Sequence, residues 1–275
     1  MELSDVPAVR MALAIATADL REAGCETPRL DAELLLADAM QTSRTALHLS
    51  PERELTIAES ERFARLLARR RARQPVAYLL GTRGFRHIEL EVDARVLVPR
   101  PETELLVEVA LGLPHGARVA DVGTGSGAVA LALKHERPDL RVLATDVSGD
   151  ALAVARANAQ RLLLDVDFRE GDLLQPLGDI PLDAVVSNPP YVSDRVERQP
   201  ELDHEPPHAL YAGPDGLDVI RRLVPAAAAR APFVALEVGA GQADAVAALL
   251  RGAGMAETAV HRDLAGIERV VVGRR

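Results

Sequence analysis

The stretch RVADVGTGSGAVALAL, residues 118–133, joins a short apolar run to a helical run through three glycines. Gly123, Gly125 and Gly127 permit a tight turn and let the backbone approach a ligand closely. Farther along, apolar strand-like runs alternate with helical runs as far as RVVVGRR, residues 269–275. This alternation predicts a doubly wound, mainly parallel α/β sheet with helices on both faces. Ligands bind to such sheets at the carboxyl ends of the strands.

The spacing of apolar residues divides the chain into three regions. Residues 1–75 carry apolar positions at helical spacing, which predicts a small helical bundle. Within residues 76–98, Ile88 and Leu90 alternate with acidic residues, as in a half-buried strand. We therefore expect a β-hairpin linker there, followed by the α/β domain over residues 99–275.

Composition indicates a globular protein. Hydrophobic residues make up 48% and charged residues 27% of the 275 positions. No apolar run approaches the ~18–20 residues that a membrane span needs, and the first residues lack a basic region followed by an apolar one. Cys25 is the single cysteine, so an intramolecular disulfide and a cysteine zinc cluster are excluded. We expect a monomer in the cytoplasm, with neither a transmembrane helix nor a signal peptide.

The charge disfavours binding to nucleic-acid phosphates. The formal net charge is −9, whereas proteins that neutralise phosphates need a basic footprint. The dense basic run is RLLARRRAR, residues 65–73. It fits either the solvated face of a helix or a docking patch for an acidic or nucleic-acid-bearing partner. We expect no direct contact with nucleic acid.

Two acidic residues indicate which cofactor the glycine loop binds. The loop alone is weak evidence, because the fingerprint of nicotinamide cofactors is similar. Asp121, just before the loop, would repel a pyrophosphate but could pair with an ammonium group. Asp146, at the end of the next strand, is placed to accept hydrogen bonds from both ribose hydroxyls. S-adenosylmethionine carries these groups and no phosphate. Its expected contacts here are Asp121, Gly123, Thr124, Gly125, Ser126, Gly127 and Asp146.

The motif NPPY follows another buried strand, so it should face the cofactor loop across the edge of the sheet. Asn188 supplies a side-chain oxygen, and the two prolines fix a backbone in which the carbonyl of Pro189 can point the same way. Two acceptors would orient a planar NH2 group toward the transferable methyl, with Tyr191 covering the planar group. Such positioning can lower a barrier by up to ~7–11 kcal/mol. We predict Asn188, Pro189 and Tyr191 as catalytic residues, Pro190 as a further substrate contact, and Asn188 as bordering the cofactor. The motif alone leaves amide and adenine substrates open.

Several motifs together resemble one family, the release-factor N5-glutamine methyltransferases. They occur in that family's order and spacing and are GTGSG (123–127), TDVS (145–148), GDLL (171–174), VVSNPPY (185–191) and GPDGLDVIRRL (213–223). The stretches VLVPRPETELLVE (96–108) and DLAGIERVVVGR (263–274) are also similar to it.

The resemblance implies a class I S-adenosylmethionine-dependent methyltransferase with a seven-stranded sheet. It implies transfer of a methyl group to the side-chain amide nitrogen of the glutamine in the Gly-Gly-Gln loop of bacterial peptide-chain release factors, with S-adenosylhomocysteine as the other product. Leu173 would lie beside the adenine, as an apolar contact without stacking. Residues 1–75 would grip the release factor, and Arg100 to Glu104 would line the site.

Alternative hypotheses remain at this point. An adenine-N6 methyltransferase of nucleic acids shares NPPY, but it should show a basic cleft or a DNA-reading domain. The stretch HEPPH, residues 204–208, matches a zinc-protease pattern, but Pro206 and Pro207 are incompatible with the helix that this motif needs, so we expect no metal. Glu237 ends another apolar strand and either faces the site or is a satisfied structural carboxylate.

Overall fold

A computed structural model describes residues 6–195 and 199–275 and divides the chain into two compact units. The helical unit comprises the chain up to Gly81 together with residues 199–204. The α/β unit comprises the remainder, from Thr82 onward. None of the helices in the described residues is long and apolar enough to cross a membrane.

The described part of the helical unit is built from α1 Val9–Glu22, α2 Pro28–Ala39, α3 Arg44–Leu49, α4 Ile57–Arg71 and α5 Val76–Leu80. Their apolar faces share one core, in which Leu20, Leu35 and Leu36 are fully buried. A capping box starts α4, since the Thr56 side chain accepts from the Glu59 amide and the Glu59 side chain accepts from the Thr56 amide. The described part of this unit is thus a bundle of α-helices around a single apolar core.

The structure differs from the predicted hairpin linker at its start. Residues 76–80 form helix α5, which follows Pro75 and ends at Gly81, whose φ of 76° is a left-handed value that favours glycine. The hairpin itself is shorter, with strands β1 Thr82–Phe85 and β2 Ile88–Glu91, and it belongs to the α/β unit. A five-residue helix has too few turns to show a period in the sequence.

The basic run includes two arginines, one buried and one half-buried, whose guanidinium groups are paired with carboxylates. Arg70 is buried and donates to Asp31 at 2.8 Å and to Glu201 at 3.0 Å. Arg73 donates to both oxygens of Glu201, at 2.7 and 2.6 Å. These ion pairs hold residues 199–204 on the helical unit.

The α/β unit contains a seven-stranded sheet. Its strands are β3 Arg118–Val122, β4 Arg141–Asp146, β5 Asp167–Glu170, β6 Ala184–Ser187, β7 Phe233–Glu237, β8 Glu257–Arg262 and β9 Glu268–Arg274. Its described α-helices are α6 Glu104–Ala110, α7 Ala128–Glu136, α8 Gly149–Leu162, α9 Asp218–Arg230 and α10 Ala243–Gly252. The strand order is β5-β4-β3-β6-β7-β9-β8, parallel except for β9, which runs antiparallel to both neighbours. The predicted doubly wound, mainly parallel sheet is confirmed.

The strand order places the predicted site at the point where the chain changes direction across the sheet. From β3 the chain continues to β4 and β5 on one side, and then crosses to β6 on the other side of β3. β3 and β6 pair in parallel, with Asp121 opposite Val186. Their carboxyl ends therefore lie side by side, which is where ligands bind in such sheets. The glycine loop follows one of these strands and NPPY follows the other.

Strand β8 is the one that apolar patterning did not reveal. Four of its six residues are exposed, because it lies at the edge of the sheet and pairs only with β9. An edge strand buries little side-chain area, so its sequence carries only a weak apolar signal.

Candidate active site

The glycine loop adopts the conformation that its sequence requires. Gly123, Gly125 and Gly127 all have left-handed φ, at 73°, 56° and 85°. At Gly127 a Cβ would also lie 2.9 Å from Leu131 and 3.3 Å from Ala155. Larger residues would thus be strained in conformation, and at Gly127 they would also clash. Helix α7 begins directly after this loop.

Asp121 fixes the loop by accepting two hydrogen bonds. It is buried, and its Oδ2 accepts from the Thr124 hydroxyl at 2.7 Å and from the Ala130 amide at 3.1 Å. Burial raises the pKa of Asp121 to about 7, against the effect of these two hydrogen bonds. The structure therefore gives Asp121 a role in fixing the loop, and its pairing with an ammonium group stays a prediction.

Asp146 contacts the same loop from the end of β4. Its Oδ2 accepts from the Gly125 amide and its Oδ1 from the Ser148 amide, each at 2.9 Å. Each carboxylate oxygen has a second lone pair, so both remain able to accept hydroxyl protons. Two backbone donors fix the orientation of the carboxylate, which suits the predicted contact with a ribose.

A cavity of about 260 Å³ opens beside these residues. The predicted residues on its wall are Gly123, Gly125, Asp146, Leu173, Asn188 and Pro190. Leu173 has a φ of 50°, unusual for leucine, and its carbonyl accepts from the Thr145 hydroxyl at 2.8 Å. The wall also includes Val96, Leu97 and His208, for which the sequence predicted no role in the site.

A smaller cavity of about 50 Å³ adjoins the other side of the loop. It is lined by Asp121, Thr124, Ser126, Arg100 and Thr103, and it shares Gly123, Gly125, Leu97 and Asn188 with the larger one. Asn188 thus borders both cavities. The walls of these two cavities include Asn188 and Pro190 but not Pro189, which is buried, or Tyr191.

The orientation of the Asn188 amide is set by a residue 85 positions earlier. Nδ2 of Asn188 donates to Oγ1 of Thr103 at 3.0 Å. Because Nδ2 faces Thr103, Oδ1 faces away from it and is free to act as an acceptor. Thr103 lies within the stretch Arg100 to Glu104 that the family resemblance places at the site, and the structure identifies it as the member that contacts NPPY.

Tyr191 makes hydrogen bonds through both its hydroxyl and its backbone carbonyl. Its hydroxyl donates to Oε1 of Glu237 at 3.1 Å, and its carbonyl accepts from Nε2 of Gln242 at 3.0 Å. Burial and the neighbouring Glu237 carboxylate raise the pKa of Tyr191. Gly216, in the GPDG motif, packs so closely that a Cβ would lie 2.1 Å from the Tyr191 carbonyl oxygen. These contacts give NPPY a fixed backbone.

The stretch HEPPH does not form a helical metal motif. Two short 3₁₀ helices, Pro200–His204 and Pro207–Ala209, replace one continuous helix. Glu205 between them is buried and accepts from the Val98 amide at 3.0 Å and from Arg100 at 2.5 Å. Its carboxylate therefore fixes the segment before α6, and sequence reasoning had assigned it no role.

A separate hollow of about 460 Å³ lies at the opposite edge of the sheet, at the start of strands β3, β4 and β5. Arg118, Arg141 and Asp167 contribute to its wall, and none of the predicted site residues does. The residues predicted for the site thus lie away from this hollow, at the carboxyl edge of the sheet.

Comparison with known proteins shows which family the chain resembles. A family model described as the PrmC N-terminal domain matches residues 11–81, and one described as the methyltransferase small domain matches residues 101–205. The release factor glutamine methyltransferase of Deinococcus radiodurans is 46% identical over 275 residues, covering 97% of this chain and 98% of that protein. This chain belongs to the release factor glutamine methyltransferase family.

Other comparisons are consistent with membership in the release factor glutamine methyltransferase family. The family's protein from Coxiella burnetii is 42% identical, over 91% of this chain and 93% of that one. One solved structure with a similar fold is that of the Thermus thermophilus 16S rRNA N2 G1207 methyltransferase, in complex with AdoMet and guanosine. The match covers 70% of this chain and 49% of that chain. Its TM-score is 0.52 at 17% identity, a likeness that establishes the fold alone. The resemblance stated from the motifs is confirmed.

Proposed function

We propose that this protein transfers a methyl group from S-adenosylmethionine to the side-chain amide nitrogen of the glutamine in the Gly-Gly-Gln loop of a peptide-chain release factor. The observation that carries the proposal is the fixed amide of Asn188, whose Nδ2 is held by Thr103. This side chain presents an acceptor oxygen beside the glycine loop, in a chain 46% identical to a named family member.

The residues around the larger cavity fit S-adenosylmethionine. The oriented carboxylate of Asp146 suits the two ribose hydroxyls, and Leu173 offers an apolar surface for the adenine. The glycines leave room at the backbone for the amino acid part, near the buried carboxylate of Asp121. When bound, this cofactor supplies an electrophilic methyl group on a sulfonium and leaves as S-adenosylhomocysteine.

The substrate amide is a poor nucleophile, so the protein contributes mainly position. Oδ1 of Asn188 and the carbonyl of Pro189 accept hydrogen bonds from the two N–H groups of the glutamine side chain and aim its nitrogen at the methyl group. As the N–CH3 bond forms, the S–CH3 bond breaks and the nitrogen releases one N–H proton to water. Pro190 and Tyr191 bound the planar amide, and Tyr191 is held in place by Glu237 and Gln242. Alignment of this kind accounts for up to ~7–11 kcal/mol of barrier lowering without a strong base.

The proposal extends to the partner and its location. The helical unit binds the release factor outside the glutamine loop, which gives the small N-terminal bundle a function. The protein acts as a monomer and in the cytoplasm, where translation takes place.

Labelled S-adenosylmethionine tests this function directly. The protein is incubated with a release factor, with its glutamine-to-alanine variant in the Gly-Gly-Gln loop, and with adenine-containing DNA and RNA. We expect label on the wild-type factor only, on one glutamine by peptide mapping. Label absent from that factor, or equal on the alanine variant, would overturn the assignment, and label on adenine would favour the nucleic-acid alternative.

A further inference from the structure

Glu237 carries an unsatisfied atom directly behind the NPPY turn. The residue is fully buried at the end of β7, and its Oε2 has no hydrogen-bond partner within the part of the chain that the structure describes. Leaving a buried polar atom unpaired costs roughly 1–3 kcal/mol. Its other oxygen accepts from Tyr191. The unpaired oxygen lowers the stability of the fold, so the presence of this carboxylate calls for a functional explanation.

A nearby hydroxyl is able to satisfy this carboxylate. Thr103 is buried, and its side chain lowers the pKa of Glu237 as a hydrogen-bond donor does. A threonine hydroxyl has one proton to donate and two lone pairs. Oγ1 of Thr103 already accepts from Asn188, so its own proton is available for Glu237.

We infer that Glu237 is a positioning residue for methyl transfer, acting through the hydroxyls of Tyr191 and Thr103 to keep Oδ1 of Asn188 turned toward the substrate amide. The inference rests on the proposed function. While Thr103 donates to the carboxylate, it can only accept from Asn188, which fixes Nδ2 toward it. Without the carboxylate, the Thr103 proton can turn to Oδ1 of Asn188, which favours the opposite amide orientation.

The protonation state of Glu237 makes this arrangement sensitive to pH. Burial raises the pKa of Glu237 to about 7, Arg269 on β9 lowers it, and Glu102 before α6 raises it. Above that pH the ionised carboxylate accepts from Tyr191 and, in the proposed arrangement, also from the hydroxyl of Thr103. Below that pH, Glu237 carries its own proton and accepts the Thr103 hydrogen bond less strongly, so the Thr103 hydroxyl can turn toward Oδ1 of Asn188. Turnover therefore falls on the acid side of pH 7.

The kinetic test compares Glu237→Gln, Thr103→Val and the conservative Thr103→Ser from pH 5.5 to 9 with saturating S-adenosylmethionine. We expect kcat to fall about 10–100-fold in Glu237→Gln and Thr103→Val, the size typical when a residue that orients an active-site group from behind is lost. Cofactor affinity stays within about twofold, the acid limb disappears, and Thr103→Ser retains wild-type behaviour. The double variant Glu237→Gln/Thr103→Val is no worse than either single variant, because both break one chain of contacts.

A second readout does not depend on turnover. The side-chain amide resonances of Asn188, assigned by comparison with Asn188→Ala, should shift with a midpoint near pH 7 in the wild type and should not titrate in Glu237→Gln. Asp121 also has a pKa of about 7, so Asp121→Asn serves as the control that must leave this titration in place. An Asn188 signal that titrates equally in Glu237→Gln, or losses that multiply in the double variant, would overturn the inference. Failure of the wild type to label a release factor would count against the proposed function instead, since the resonance test does not require turnover.

Discussion

At the scale of single residues, the site depends on atoms that are fixed by partners distant in the chain. Asn188 is oriented by Thr103, and Asp146 is oriented by the amides of Gly125 and Ser148. Fixed acceptors need little reorganisation when a substrate binds, which is the main advantage of a preorganised site. Substitutions of Asn188 and Asp146 should therefore change cofactor affinity and turnover to different extents.

Replacing Asn188 by alanine should strongly reduce turnover while leaving the cofactor site intact. The change removes one of two acceptors for the substrate amide, and loss of one such group typically costs about 10²–10³ in kcat. Affinity for S-adenosylmethionine, measured by calorimetry, should change less than about threefold, since Asp146 and the glycine loop are untouched. Equal loss of affinity and turnover would show that Asn188 acts on the cofactor side. Asn188→Asp is the matched variant, because it keeps Oδ1 but cannot donate to Thr103 when ionised.

At the scale of elements, the turn after β6 is shaped by contacts from three other segments. Thr103 reaches it from the residues before α6, Glu237 from β7, and Gly216 from the loop before α9. Gly216 leaves the least room for change, because its φ is 75° and the Tyr191 carbonyl oxygen occupies the place of a Cβ.

We expect Gly216→Ala to destabilise the protein and to disturb the NPPY turn. A left-handed alanine costs about 1–2 kcal/mol, and displacement of Tyr191 should bring the loss in free energy of unfolding to about 3 kcal/mol. Gly116→Ala is the control, since Gly116 has a similar φ of 72° but no atom within 4 Å of its Cβ position. Chemical denaturation should give a loss of about 1 kcal/mol for the control. Equal losses in the two variants would contradict the contact with Tyr191.

Glu201 should contribute measurably to the stability of the helical unit. Arg70 is buried and Arg73 half-buried, and both donate to this carboxylate. Glu201→Gln weakens these charge-assisted hydrogen bonds and should lower the free energy of unfolding by about 1–3 kcal/mol. Glu52→Gln is the comparison, because Glu52 and its partner Arg10 are both 66% exposed and such pairs contribute about 0–1 kcal/mol. A Glu201→Gln effect as small as that of Glu52→Gln would show that the cluster contributes little.

The same elements show what the sequence could predict. The parallel strands, the glycine loop and the bundle follow from local periodicity and turn chemistry, which neighbouring residues determine. Helix α5 and strand β8 were not predicted, because α5 is too short to show a period and β8 is too exposed to show an apolar pattern. The pairing of Asn188 with Thr103 and of Arg70 with Glu201 joins residues 85 and 131 positions apart, which no local pattern specifies. The motifs predicted which segments form the site, and the structure shows which atoms of those segments contact each other.

At the scale of the whole molecule, buried carboxylates should make stability depend on pH. Asp121 has its pKa raised to about 7 in the folded protein, against about 3.9 in an unfolded chain. Between these values the folded state binds the extra proton, so stability contributed by this group is present at low pH and is lost as pH rises to about 7.

Thermal unfolding of Asp121→Asn tests this dependence. Asparagine can keep the acceptor for Thr124 and Ala130 without a charge. The midpoint of the variant relative to the wild type should therefore rise between about pH 4 and pH 7 and level off above that range. Glu237, Asp139 and Asp215 titrate in both proteins and cancel in the difference. A difference that is constant with pH would contradict the raised pKa.

The position of β9 between β7 and β8 has a consequence for folding. β9 is made after both β7 and β8, yet within the described residues it is the strand that links β8 to the rest of the sheet. Until β9 docks, β7 presents an open edge composed of Phe233, Val234, Ala235, Leu236 and Glu237. Apolar edges of this kind recruit strands from other chains. Deleting residues 266–275, which include β9, should therefore direct the chain toward intermolecular pairing and aggregation during synthesis, before any defect in methyl transfer could be measured.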